Sequence, residues 1–121
     1  MDKDAAVKTI IDIGIIAIMR AQISTQLVDA VVAIKQGGAR VIEMTMITPS
    51  ALSVVEEAAS RFASEVLLDA GTVLDPQKAR AAILAGAEFV VTPTLNLGVI
   101  EVCHWYGVLV IPSCVIRPQR C

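Results

Sequence analysis

Aromatic side chains are nearly absent from this chain, which has only Phe62, Phe89, Trp105 and Tyr106. So few rings give no platform for stacking bases, and a formal charge of -2 provides no basic face to neutralise phosphates, so nucleic acid is not a partner. Histidine occurs once, at position 104, whereas a metal centre needs several histidines or carboxylates that converge. That is poor material for a metal centre, and neither a metal nor a cofactor is expected.

Cysteine is scarce and odd in number. Cys103, Cys114 and Cys121 lack a Cys-x-x-Cys spacing, so they read as free thiols and not as a disulfide framework or a zinc knuckle. Cys103 and His104 are adjacent, but neighbours on a helix point about 100° apart, so the pair reads as structural and not as nucleophile and base. Long hydrophobic runs are missing too. The most apolar N-terminal stretch, Ile10 to Met19, is broken by Asp12 and Gly14 and cannot cross about 30 Å of hydrocarbon. No basic segment with a cleavage site precedes it, so a cytoplasmic protein without a membrane partner is expected. No G-x-G-x-x-G follows the first strand and no Gly-rich Lys-Ser/Thr loop is present, which removes the dinucleotide and P-loop fingerprints.

What the chain does contain is apolar residues, 55% of its 121 positions, against 18% charged. Residues 1–121 are read as one domain. The apolar fraction is high for so small a domain, which implies strands buried on both faces or a surface meant for a partner. After an amphipathic segment from Asp4 to Ile13, apolar runs alternate with helical stretches. Strands are expected at Ile15 to Met19, Val41 to Met46, Val66 to Ala70, Phe89 to Thr92 and Val108 to Ile111. Ser24 can cap the first intervening helix, which Gly37-Gly38 ends. Pro49 opens a helix through about Phe62, Asp75-Pro76 opens one that Gly86 terminates, and a short helix runs from Leu97 to Tyr106. Strands recurring with a helix between each pair predict an α/β fold with a parallel sheet and right-handed crossovers.

Glu43 is the most informative residue. It sits near the end of an otherwise apolar strand, where a charge is costly to desolvate unless it faces a polar cleft. Arg20 follows strand 1, Glu43 and Thr45 lie near the end of strand 2, Gly71-Thr72 follows strand 3, and Thr92-Pro93-Thr94 follows strand 4. Contributions from four consecutive strand ends suit the mouth of a (β/α)8 barrel better than the single switch point of an open sheet, although periodicity alone allows both.

Five stretches in order carry a family resemblance: Ile15 to Arg20, Gly38 to Pro49 around Glu43, Ala70-Gly71-Thr72 through Pro76, Ala85 to Pro93, and Ile111-Pro112. Together they resemble the 2-keto-3-deoxy-6-phosphogluconate and 4-hydroxy-2-oxoglutarate (KDPG/KHG) aldolases. The resemblance implies a TIM-barrel lyase, usually trimeric, of which this chain is the N-terminal part with about five βα units. It also implies cleavage of a small 2-keto acid substrate to pyruvate plus an aldehyde, through a Schiff base on a buried lysine. Glu43 would be the general acid/base, Thr72 would bind the substrate carboxylate, Pro93 would line the pocket and Arg20 would contact an anion at its edge. Each has a plainer alternative: Glu43 or Arg20 in a salt bridge, Thr72 in a turn, Pro93 as a strand stop.

The chain departs from the family at several points. Ile47 stands where the family has an arginine, Asp69 and Ser113 replace glycines, and residues 113–121 lose the pattern. In the family the Schiff-base lysine is on a strand after the one at Val108, which this chain stops before reaching, and Lys3, Lys8, Lys35 and Lys78 do not end a strand. The chain by itself is therefore expected to be inactive. The alternative is a non-catalytic half-barrel that assembles with other copies through open strand edges. A metal-dependent aldolase or an open-sheet binding module is a weaker third reading.

Overall fold

The computed structural model describes residues 2–20, 24–47, 50–62 and 65–113, with the side chains of 24, 25 and 27 left aside. Ten elements alternate along it. They are α1 (Lys3–Ile13), β1 (Ala17–Met19), α2 (Ser24–Gln36), β2 (Val41–Thr45), α3 (Ala51–Phe62), β3 (Leu67–Gly71), α4 (Pro76–Ala85), β4 (Phe89–Thr92), α5 (Leu97–Trp105) and β5 (Leu109–Pro112).

Local chemistry sets the helix ends. The Asp2 carboxylate accepts from the Ala5 N–H at 2.8 Å, Asp75 from Lys78 at 2.7 Å and Asn96 from Val99 at 3.1 Å. Each satisfies an amide that the first helical turn leaves without a partner, a contribution of about 1 kcal/mol. Pro76 at the start of α4 has no N–H to lose. Gly86 closes α4 at φ 116°, with the Ala59 side chain so near that a Cβ at position 86 would stand 2.6 Å from it. Backbone conformation and the close approach both demand glycine there. Pro49 lies outside the described residues, as do residues 114–121 of the atypical tail, and α3 itself starts at Ala51.

All five strands are parallel and lie in the order β1-β2-β3-β4-β5. Each strand therefore adds to the same edge, with no reversal of direction in the winding. A doubly wound sheet requires such a reversal, so strand order settles what periodicity left open in favour of a TIM-like sheet.

The two faces of the sheet differ. Ile42, Met44, Leu68, Ala70 and Val90 face outward into the core made with the helices, against Val31, Val54, Val55, Ala58, Ala79 and Val99. On the inner face, Val41, Leu67 and Phe89 open their strands and pack with Ala6, Ile10 and Ile13, so α1 plugs that end with apolar side chains. Burying each large side chain there contributes roughly 1.5–3 kcal/mol.

Strand 1 corrects an expectation. It has three residues, not five, and Ile15 and Ile18 are 65% and 61% exposed, so it is not covered on both sides. Among the described residues it is an edge strand with β2 as its one sheet neighbour, whereas every residue of β2 and β3 is buried. Strands 3 and 5 each begin one residue later than expected, and β5 ends on Pro112, which an edge position tolerates.

Candidate active site

Glu43 occupies the middle of β2 on the inner face, in register with Ile18 of β1 and Asp69 of β3. It is 8% exposed. Its side chain lies directly across Gly71, where an added Cβ would overlap its Oε2, Cδ and Cγ. Glycine at position 71 thus gives the carboxylate its resting place. The ion pairs among the described residues are Lys35–Glu65 and Arg61–Glu57, so neither Arg20 nor Arg40 neutralises Glu43.

Asp69 faces the same way and is completely buried. Neither of its oxygens meets a hydrogen-bond partner of acceptable geometry among the described residues. Loss of water pushes its carboxyl up to about 10, with the nearby Glu43 charge, and a hydrogen bond that a proton between them allows, adding to the effect. A carboxyl raised that far keeps its proton at neutral pH and can donate a hydrogen bond as well as accept one. Thr45 adds a third polar group to this patch: its hydroxyl is buried with no partner among the described residues, and it pairs in register with Gly71. Buried polar atoms are ordinarily satisfied, so the unsatisfied Asp69 and Thr45 side chains beside Glu43 mark a surface shaped for something other than packing.

The remaining candidates sit at the strand ends. Arg20 follows β1 and is exposed; Pro93 follows β4 and is also exposed. Thr72 follows β3, half-buried, at φ 56°. A β-branched residue in that left-handed region is strained by about 1–3 kcal/mol, and such strain persists only where neighbours enforce it. Here the Gly71 carbonyl accepts from Met46 at 2.9 Å and the Val73 N–H donates to Val91 at 3.3 Å, pinning the chain on both sides of Thr72. Thr92 turns the other way, with its hydroxyl donating to the Thr94 carbonyl. The fold therefore gathers Glu43, Thr45, Asp69 and Gly71 on one inner patch and sets Arg20, Thr72 and Pro93 at the same end of the sheet.

All four lysines of the sequence are on helices: Lys3 and Lys8 on α1, Lys35 on α2, Lys78 on α4. Cys103 is buried on α5, its thiol pushed up to about 11 by burial, while His104 is exposed. The two do not form a nucleophile–base pair. Among the described residues no three His, Cys, Asp or Glu side chains gather as metal ligands, and no helix is long and apolar enough to cross a membrane. Asp69 was missed as a site residue by reading the sequence, although the signal was the one that singled out Glu43: a carboxylate inside an apolar strand.

Residues 4–118 match the family model for KDPG and KHG aldolase. The chain is 42% identical over 77 residues to the 2-dehydro-3-deoxy-phosphogluconate aldolase of Treponema pallidum, covering 64% of this chain and 36% of the relative. It is 32% identical over 84 residues to the KHG/KDPG aldolase of Escherichia coli K12, covering 69% and 38%. Among solved structures it superposes on native KDPGal with a TM-score of 0.78 at 28% identity, over 84% of this chain and 49% of that one. On the Legionella pneumophila KDPG aldolase, captured with pyruvate as a covalent carbinolamine, the TM-score is 0.75 at 27% identity, over 80% and 47%. The chain thus spans about half or less of the length of these relatives. By the family match and the shared fold, it belongs to the KDPG and KHG aldolases.

Proposed function

We propose that this chain carries the proton-transfer half of a class I aldolase site. The lyase reaction is cleavage of 2-keto-3-deoxy-6-phosphogluconate or 4-hydroxy-2-oxoglutarate to pyruvate plus an aldehyde. The observation that carries the reading is Glu43: a nearly buried carboxylate on the inner face of a parallel sheet, without a cationic partner among the described residues, aimed over a glycine. An imine of a keto acid withdraws electrons from the neighbouring carbon, and a carboxylate held beside that carbon can take its proton and return it. Thr72 would donate to the substrate carboxylate, Pro93 would line the pocket and Arg20 would meet an anion at its edge. The relative that holds pyruvate as a carbinolamine supports the imine route.

An imine needs an amine, and the four lysines here are all on helices, none on a strand facing Glu43. We therefore propose that the 121 residues alone form no Schiff base. Incubation with pyruvate and borohydride should leave the intact mass unchanged; a reduced adduct on any lysine would overturn this.

The role of Glu43 is tested by supplying the amine. A small primary amine condenses with pyruvate to a ketimine and water, and exchange of the methyl protons for deuterium is then followed by NMR. The chain should accelerate exchange beyond the amine alone, and Glu43→Gln should abolish the gain. Equal rates for the two proteins would reject Glu43 as the acid/base.

A second reading, a half-barrel assembly protein, is favoured by the outer edges of β1 and β5, which pair with no further strand among the described residues. An apolar groove of about 210 Å³, lined by Val7, Ile10, Ile11, Leu109 and Ile111, adds to it. A strictly monomeric mass in light scattering would count against it.

A further inference from the structure

We propose that Asp69 is a positioning residue for Glu43, a buried neutral carboxyl that shares its proton with the Glu43 carboxylate and holds that carboxylate in its working orientation. The inference rests on the reading of Glu43 as the proton-transfer group. It goes beyond that reading because the family resemblance assigns no role to position 69.

Three observations lead to it. First, the two residues are register partners on adjacent parallel strands, and both side chains emerge on the inner face. Second, Asp69 is fully buried, and both of its oxygens lack a partner among the described residues. A carboxylate in that state is among the most costly arrangements a protein can hold, whereas a carboxylic acid can donate to a neighbouring acceptor. Third, the Glu43 side chain lies over Gly71, two residues along the same strand from Asp69, which keeps both carboxyls on the same stretch of the inner face. Two carboxyls confined together cannot both ionise readily, and one proton between them is the stable state.

Among the described residues, the charge that acts on Asp69 is that of Glu43. Across β4 the register partner of Asp69 is Phe89, and beyond Glu43 on β1 it is Ile18. The charged residues of α1, which packs on the same face, are Lys3, Asp4, Lys8 and Asp12, and all are exposed, as is Arg20 after β1. Glu43 is the group whose charge acts on Asp69, in the direction that keeps the proton on it.

The shared proton has a consequence for chemistry. A neutral donor beside the Glu43 carboxylate can hold it in one orientation on the inner face, ready to accept a proton from a bound substrate.

The experiment uses the whole chain and two readouts. Infrared difference spectra, with carbon-13 labelling of aspartate, should show a protonated carboxyl at neutral pH that disappears in Asp69→Asn. In Glu43→Gln the same carboxyl should titrate at lower pH, because the like charge is gone. A fully ionised Asp69 at neutral pH, or a midpoint unmoved by Glu43→Gln, overturns the proposal. In the amine-assisted exchange assay, Asp69→Ala should lose most of the acceleration, and Asp69→Asn, which can still donate, should bring it back towards wild type. Equal rates for the three proteins also overturn it. If the infrared pair is present but no protein accelerates exchange, the proton sharing stands and the catalytic role of Glu43 is what fails.

Discussion

Replacing Asp69 with asparagine should make the protein more stable, by an amount that grows with pH. In the unfolded chain an aspartate ionises near 3.9, whereas burial and the Glu43 charge push the folded Asp69 up to about 10. Between those limits the folded chain holds one proton more than the unfolded chain. Stability therefore falls as pH rises, with a slope of about 1.4 kcal/mol per pH unit from this group. The term is absent below about pH 4 and reaches roughly 4 kcal/mol by about pH 7. Asparagine has nearly the same shape and leaves the same buried polar position imperfectly satisfied, so those costs cancel and the proton-uptake term is what differs. Urea unfolding followed by circular dichroism, from about pH 4 to about pH 9, measures it directly. The midpoints of the two proteins should coincide at the acid end and separate steadily above it. Parallel curves, or a variant less stable than wild type at about pH 8, would refute a neutral buried Asp69.

Three further outcomes follow from the same packing. Gly71→Ala places a methyl group inside Glu43 and should cost about 1–3 kcal/mol, most of it recovered in the double variant with Glu43→Ala; strictly additive urea midpoints would contradict the contact. Phe89→Ala empties the inner-face plug beside Val41 and Leu67 and should cost about 3–5 kcal/mol, read from the same unfolding curves; a loss under about 1 kcal/mol would mean that face is not packed. With Cys114 and Cys121 changed to serine, Cys103 should react with a disulfide reagent at mildly alkaline pH only as fast as the chain opens, since its thiol is pushed up to about 11. An immediate reaction would show it to be accessible.

The places where sequence reading and structure part company share a physical cause. Ile15 to Met19 reads like the interior strands because hydrophobicity reports what a residue tolerates, not how many neighbours it has. An edge strand has a sheet neighbour on one side, and Ile18 is left 61% exposed. Asp69 looked like a departure from a glycine because its meaning depends on Glu43, which lies in register beside it but 26 positions away in sequence. The strain at Thr72 is likewise invisible without the backbone bonds from Met46 and to Val91 that hold its neighbours.

By itself the sequence determined the alternation of strands and helices, the caps at Asp75 and Gly86 and the isolation of Glu43 among apolar residues, because these are local properties of hydrophobic period and backbone preference. Tertiary structure alone decided that the strands run in unbroken order, that α1 closes one end of their inner face, and that two carboxyls stand in register there, one of them over a glycine. Those are relations between residues far apart along the chain, and only pairing of the strands brings them side by side.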